Sequence, residues 1–284
     1  MAKRALLVGI NYPGTEYELS GCVNDAMLLR ALLIERYAFL ESNITMLLDG
    51  DATKANALAA TRDLFSAAGA DDRLFWGWSS HGTHVRDMNQ DELDGLDEAI
   101  VPFDGLTSDR LLIRDDELGA LVRESLHPGA RLTMSIDACH SGSMLRDFPH
   151  FVLGAENVTK YRVLPAQRWG TDSPAVHGLR GLLRMLPKLR RFGTRLLPDP
   201  HNVVLISATT PRQLAADAYI AGRYNGAHTY ALDHVLRSPS GQHSVKHVVH
   251  KMREWLVNNG YGGPRGQSPQ ISGDRDLWPR VFLA

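Results

Sequence analysis

Cysteine is scarce in this sequence, because Cys22 and Cys139 are the only two among 284 residues. Two cysteines cannot build a disulfide framework, and free thiols are typical of a reducing compartment. Long apolar runs are also missing. The run at residues 5–10 is too short for a secretory signal core, and no run approaches the ~18 apolar residues of a membrane span. The sequence therefore predicts a cytoplasmic protein without a membrane partner.

An excess of either charge is missing too. Lysine and arginine total 31, aspartate and glutamate total 32, and the formal net charge is −1. This balance provides no overall field that would attract nucleic acid. Hydrophobic residues make up 44% of the chain, which is enough for a substantial core without support from metals or disulfides.

The apolar pattern predicts an α/β fold. Five short runs have the composition of buried strands, at residues 5–10, 44–48, 73–78, 132–136 and 203–207. Segments with helical spacing lie at residues 24–37, 52–67, 227–236 and 244–259, and another begins near Asp115, which we expect to cap it. This alternation indicates a mostly parallel sheet with helices on both faces. Trp76 and Trp78 alternate along one run, and we expect them on opposite faces of the sheet.

We expect a single domain over residues 1–284 that carries a basic insertion at about residues 148–200. The insertion is rich in arginine and lysine and is punctuated by prolines, so it should contain only short helices. An acidic stretch at residues 86–98 has the opposite charge. The insertion could dock on that stretch, or its basic run could bind nucleic acid, although the balanced charge makes nucleic acid an unexpected partner.

Two candidate catalytic side chains follow predicted strands. His81 comes just after the run at 73–78, and Cys139 just after the run at 132–136. The carboxyl ends of parallel strands share one edge of a sheet, where loops form ligand-binding crevices. A thiol needs a base to become a nucleophile, and His81 would supply one. The backbone amides of Gly82 and Cys139 could hold the oxyanion. Gly82 would also let a substrate carbonyl approach closely.

A zinc site is the alternative that these residues leave open. Its ligands would be His81, His84, Cys139 and His140. The spacing permits the set, but neighbouring Cys139 and His140 would point in different directions, which disfavours a tetrahedral site.

Several ordered motifs resemble those of the metacaspases and their bacterial relatives within the caspase-like clan. They are Leu-Ser-Gly-Cys-Val-Asn-Asp at 19–25, Ser-His-Gly-Thr at 80–83, Asp-Glu-Ala-Ile-Val-Pro at 97–102 and Asp-Ala-Cys-His-Ser-Gly at 137–142. The resemblance resumes at Ser-Ala (207–208), Ala-Asp-Ala (216–218) and Gly-Ala-His-Thr (226–229). It covers most of the chain outside the insertion.

The resemblance implies a caspase-like sandwich and a cysteine endopeptidase with His81 and Cys139 as its dyad. It also implies a pocket for arginine or lysine before the cut, formed by Cys22, Asp25, Ser79 and Asp137. Two carboxylates would pair with a guanidinium and repel an acidic side chain. No cofactor is needed for this chemistry. Calcium is a possible activator, with Asp97, Asp115, Asp116 and Asp147 as the matching acids.

The resemblance also suggests a zymogen, because caspase-like enzymes often carry a cleavable segment after the nucleophile. An enzyme that selects basic residues could cut its own insertion, for example after Arg184, Lys188, Arg190, Arg191 or Arg195. An upstream protease could make the cut instead. The alternative from another class is a catalytically silent caspase-like module that binds a partner through the same cleft.

Overall fold

The computed structural model describes residues 1–86, 96–139, 151–152, 159–164, 202–210, 213–239, 243–263 and 266–283. Its main sheet has six strands: β1 (Lys3–Gly9), β2 (Ile44–Leu48), β3 (Arg73–Ser79), β7 (Arg131–Asp137), β10 (Val203–Ser207) and β13 (Gln270–Gly273). Their order is β13-β10-β7-β3-β1-β2, and every neighbouring pair is parallel except β10 with β13. The predicted α/β class with a mostly parallel central sheet is confirmed.

Two smaller sheets accompany the main sheet. One contains β4 (Gly82–Arg86), β5 (Leu96–Ile100) and β6 (Ile113–Arg114) in the order β4-β5-β6. The other contains β8 (Phe151–Val152), β9 (Thr159–Tyr161), β11 (Ala216–Ile220) and β12 (Arg223–Gly226) in the order β12-β11-β9-β8. Strand β9 belongs to the predicted basic insertion, so part of that insertion is joined to the folded domain through β11.

Helices cover both faces of the main sheet. They are α1 (Cys22–Tyr37), α2 (Lys54–Ser66), α3 (Asp115–Ser125), α4 (Ala227–Arg237) and α5 (Val245–Asn258). Side chains of α2 and α3 join one buried apolar cluster, and those of α1, α4 and α5 join a second. Alternate residues of a strand face opposite sides of the sheet, so β1, β3 and β10 each contribute to both clusters.

Two local expectations were wrong. Trp76 and Trp78 lie in the same cluster with their rings stacked 5.5 Å apart, because residues two apart on a strand point to the same face. Asp115 does not cap α3 but is its first helical residue, and Arg114 is the N-cap. The Arg114 backbone N–H donates to Glu117 Oε2 over 3.0 Å, which is half of a capping box.

Candidate active site

The structure brings His81 and Cys139 to the same edge of the main sheet. His81 follows β3, Cys139 follows β7, and Ser79 is paired in register with Asp137 at the ends of these neighbouring strands. Both candidate catalytic side chains are buried. A side chain at Gly82 would overlap the Cys139 carbonyl oxygen, so close packing of the two loops explains this glycine better than the approach of a substrate carbonyl.

The imidazole of His81 is held by the loop after β1. Its Nε2 lies 2.7 Å from the Tyr17 carbonyl oxygen. A carbonyl only accepts hydrogen bonds, so Nε2 carries the proton and Nδ1 has the free electron pair in the neutral ring. The Tyr12 ring packs against the imidazole with centroids 5.1 Å apart, and its hydroxyl accepts from the His81 backbone N–H over 3.3 Å.

The two predicted oxyanion donors converge on a carbonyl of the protein itself. The backbone amides of Gly82 and Cys139 each donate to the Arg162 carbonyl oxygen over 3.0 Å. On the other side of the residue, the Arg162 N–H donates to the Ala215 carbonyl over 3.0 Å. The backbone of Arg162 is therefore held as a peptidase would hold the residue before the cut.

The Arg162 side chain is fully buried among three carboxylates. Its Nη2 lies 2.7 Å from Asp25 Oδ2 and 2.9 Å from Asp217 Oδ1, and its Nη1 lies 3.2 Å from Asp137 Oδ2. Nη1 also reaches the Asp137 carbonyl oxygen at 3.3 Å. Both terminal nitrogens of this guanidinium therefore make charge-assisted contacts with carboxylates.

The four predicted pocket residues lie around this arginine or beside it. Asp25 and Asp137 contact the guanidinium directly. Cys22 is buried at the start of α1 and close enough to contribute to the raised pKa of Arg162. Ser79 is buried next to Asp137 in the strand register.

Asp217 and Gly226 were missed as pocket residues. Asp217 accepts from the backbone amides of Ser20 and Gly21 at 2.8 and 3.0 Å, so it joins β11 to the entry of α1 as well as to Arg162. A Cβ at Gly226 would overlap Asp137 Oδ2 and the guanidinium. Both residues lie in motifs that carry the family resemblance, but spacing alone gives neither a role.

The electrostatics reflect this burial. Burial raises the pKa of Asp25 to about 7 against the lowering effect of the Arg162 guanidinium. Burial likewise raises the pKa of the Cys139 thiol to about 12. Cys139 Sγ accepts from the Ala215 backbone N–H over 2.6 Å, and this bond favours the thiolate and opposes the effect of burial. With Arg162 in place, the thiol is thus in its resting, protonated form at neutral pH.

The structure does not confirm the predicted metal sites. Among the described residues, no three histidine, cysteine, aspartate or glutamate side chains are grouped as ligands of one metal ion, which removes the zinc set of His81, His84 and Cys139. Burial and the nearby charges of Glu98, Asp116 and Asp97 raise the pKa of Asp115 to about 8. Asp97 also pairs with Arg114 Nε at 3.3 Å. His140, Asp147 and the five predicted self-cleavage residues lie outside the described part of the chain.

Together, the mostly parallel sheet and the loops that follow β3 and β7 define a caspase-like fold. Solved structures have the same fold. A protein of Geobacter sulfurreducens is similar with a TM-score of 0.68 and 23% identity, covering 100% of this chain and 99% of that one. The Drosophila initiator caspase Dronc is similar with a TM-score of 0.51 and 11% identity over 99% of this chain and 84% of that one.

Sequence comparison gives the particular family. The profile described as "Metacaspase, peptidase C14 domain" matches residues 3–149. Metacaspase-1 of Cryptococcus neoformans is 34% identical over 99% of this chain, and metacaspase-1 of Schizosaccharomyces pombe is 31% identical over 95%. The chain belongs to the metacaspase family. It spans 64% and 67% of the length of these two relatives.

No helix within the described residues combines the length and the apolar character needed to cross a bilayer.

Proposed function

We propose that this chain is a cysteine endopeptidase that cuts peptide bonds after arginine or lysine, and that it is made as a zymogen whose cleft is filled by its own Arg162. The observation that carries the proposal is the double engagement of that residue. Its carbonyl accepts from the amides of Gly82 and Cys139, while its guanidinium lies among the carboxylates of the pocket.

The proposed reaction uses the groups around that carbonyl. The Cys139 thiol transfers its proton to Nδ1 of His81, and the sulfur attacks the carbonyl carbon of the arginine. The amides of Gly82 and Cys139 stabilise the oxyanion. The carbon–nitrogen bond then breaks, and the leaving amine takes the proton from His81. Water activated by the same imidazole hydrolyses the thioester and restores the thiol.

The pocket chemistry supports selection of a cation. Three carboxylates face one guanidinium, and they would repel an aspartate side chain that took the place of the guanidinium. Arginine should be preferred over lysine, because its two terminal nitrogens reach three acids at once whereas an ammonium is a single point charge. The protein substrates of this peptidase family would accordingly be cut after exposed basic residues.

The zymogen proposal identifies the bond between Arg162 and Val163 as the one cut during activation. Arg162 is held where a substrate residue would be held, and the buried thiol is in its resting form. Cleavage would turn the segment that ends at Arg162 into a product that can leave the cleft. Self-cleavage and cleavage by an upstream protease both fit this arrangement.

The test follows fragmentation of the purified full chain by intact-mass spectrometry, together with hydrolysis of coumarin reporters that end in arginine, lysine or aspartate. We expect wild type to yield a fragment ending at Arg162 and to cut arginine and lysine reporters. Cys139→Ala should do neither, and Arg162→Gln should lose the fragment. Lys160→Gln is the matched control, because the ammonium of this basic neighbour donates to the Glu18 carbonyl over 2.6 Å and not to a pocket carboxylate among the described residues, and it should fragment like wild type.

Two results would count against these proposals. Fragmentation at Arg162 that persists at the wild-type rate in purified Cys139→Ala, together with hydrolysis of the arginine reporter by that variant, would refute the role of Cys139 as the nucleophile. Absence of all cleavage, including after mild treatment with trypsin, would favour a silent module that binds partners through the cleft.

Calcium activation is proposed separately. Asp97, Asp115 and Asp116 would supply oxygen ligands, with Asp147 as a fourth. The first three are not grouped as ligands of one ion in the structure, so calcium would have to draw them together. Burial, and then the charges of neighbouring acids, raise the pKa of Asp115, and a bound cation would favour its charged form. Reporter hydrolysis should rise with calcium in wild type and lose this dependence in Asp116→Asn. Equal calcium dependence of the two proteins would refute the assignment.

A further inference from the structure

The two residues after Arg162 are buried more deeply than the three before it. Val163 is 4% exposed and Leu164 is 0% exposed. Thr159, Lys160 and Tyr161 are only partly buried. A segment that merely blocked the cleft through its arginine would not need to bury the residues that follow the cut.

Val163 lies in an apolar cluster that includes the nucleophile. The cluster also contains Ala208, Leu214 and Ala215, which come from the loops around β10 and β11. These residues form a small aliphatic site beside Cys139 that a valine fills.

Leu164 occupies a second, deeper site. It belongs to the large apolar cluster under the main sheet. Its backbone N–H donates to the Gly82 carbonyl over 2.9 Å, and its carbonyl accepts from Thr83 Oγ1 over 3.1 Å. The backbone of Leu164 is therefore hydrogen-bonded on both sides to residues at the start of β4, and its side chain is enclosed there.

The part of the segment before the arginine is bound differently. Tyr161 and Lys160 pair with Ala216 and Asp217 of β11 through the backbone, which is sequence-tolerant strand addition. The Lys160 ammonium donates to the Glu18 carbonyl. Tyr161 packs, partly buried, against the cluster that contains Val163, whereas Val163 and Leu164 are themselves buried. The tightest apolar enclosure therefore lies on the side of the leaving group.

We infer that the cleft recognises its substrates on both sides of the cut. It binds an arginine before the cut and, after it, two aliphatic residues of about the size of valine and leucine. This inference rests on the proposed peptidase function and deepens it, because it defines the substrate class as extended segments with an Arg-aliphatic-aliphatic core. Full enclosure of Leu164 makes the second position the more selective one.

The test measures kcat/KM of the self-cleaved full chain on internally quenched peptides. The parent peptide is Thr-Lys-Tyr-Arg-Val-Leu, and the variants replace its leucine by aspartate or glycine, or its valine by aspartate. A matched control replaces the threonine by aspartate, at a position only partly buried in the protein. The reporter Thr-Lys-Tyr-Arg-coumarin, which has no residue after the cut, is measured in parallel.

We expect the leucine variants to fall by at least about tenfold, in the range by which a hydrophobic pocket discriminates, and the threonine variant to stay within about threefold. Equal kcat/KM for all peptides, with the coumarin reporter cut normally, would overturn the inference and leave the proposed function intact. The same holds if the reporter is cut and no longer peptide is, because residues 163–164 would then be a permanent part of the fold. Failure to cut the reporter would refute both the inference and the proposed peptidase function.

A second measurement examines the same site within the chain. Leu164→Met keeps an apolar side chain of similar volume and should self-cleave at Arg162 at the wild-type rate. Leu164→Asp should slow that cleavage by at least about tenfold. Thermal unfolding of both variants in a Cys139→Ala background separates slow cleavage from loss of the fold, and equal cleavage rates in two folded variants would overturn the inference.

Discussion

Replacing Gly226 by alanine should close the arginine pocket while leaving the backbone undisturbed. Gly226 has φ −70° and ψ 131°, an extended conformation that alanine adopts freely. The added Cβ would overlap Asp137 Oδ2 and Nη1 of Arg162 and would lie 2.7 Å from its Cζ. The methyl group therefore competes for the space that a substrate guanidinium needs.

The size of the effect follows from the bonds that would be lost. Hydrogen bonds to charged groups contribute about 1.5–3 kcal/mol each, and excluding the guanidinium removes at least two of them. A loss of about 3–6 kcal/mol corresponds to roughly 10²–10⁴-fold, at about 1.36 kcal/mol per factor of ten. We expect kcat/KM for arginine reporters to fall by at least about 100-fold and self-cleavage at Arg162 to stop.

The assay is steady-state hydrolysis of an arginine reporter, with circular dichroism as the check on folding. Gly50→Ala is the matched control, because a Cβ at that glycine has no heavy atom within 4 Å, and its activity should match wild type. A folded Gly226→Ala protein with wild-type kcat/KM would refute the pocket assignment.

The remaining predictions concern the reactivity of Cys139, the pH dependence of catalysis and the stability that Arg162 provides. In the intact chain, iodoacetamide should alkylate Cys139 at least about tenfold more slowly than in Arg162→Glu, whose carboxylate is repelled from the pocket, because the buried thiol has a pKa of about 12; equal rates would contradict this. Protonation of Asp25 removes the negative charge that pairs with the arginine, so kcat/KM for arginine reporters should fall as the pH drops through about 7. The empty pocket lacks the guanidinium that lowers this pKa, so the midpoint should lie at or above 7, and an unchanged acid limb in Asp25→Asn would be inconsistent with the assignment. In a Cys139→Ala background, Arg162→Met should destabilise the fold by about 3–5 kcal/mol, a drop in Tm of at least ~6 °C. Arg237→Met breaks partly exposed pairs with Glu35 and Asp233 and should cost about 2 kcal/mol or less, at up to about 1 kcal/mol a pair.

The strands were predicted well from the sequence. The predicted runs at 44–48 and 203–207 match β2 and β10 residue for residue, and β3 and β7 each extend one residue or less beyond either end of the predicted runs. Strands β3, β7 and β10 are buried on both faces, so their apolar runs are nearly continuous and end at polar residues. Strand β2 lies at the edge of the sheet and is only partly buried. The Asp115 cap was wrong because an aspartate is favoured both at the cap and in the first turn, and composition does not separate the two positions.

The candidate dyad was accessible to sequence reasoning for a related reason. His81 and Cys139 each follow a recognisable strand, and parallel strands place their carboxyl ends together. The residue seated in the cleft was not accessible in this way. The sequence suggested basic residues at 184–195 as self-cleavage sites, whereas the structure places Arg162 in the cleft. Arg162 lies next to Tyr161 and Val163, which favour strands.

The sequence by itself determined the α/β class, the order of most strands and helices, and the two loops that carry the candidate nucleophile and base, because these features depend on local apolar periodicity and on residues adjacent to strand ends. Only the tertiary structure decided which arginine fills the pocket and that Asp217 and Gly226 complete it. The pocket joins α1, β7, β11 and the start of α4, and Asp25 and Asp217 meet across 192 positions of the chain. Charges that far apart in sequence are brought together by tertiary contacts such as the hydrogen bonds from the Ser20 and Gly21 amides to Asp217 at the entry of α1, which no local pattern records.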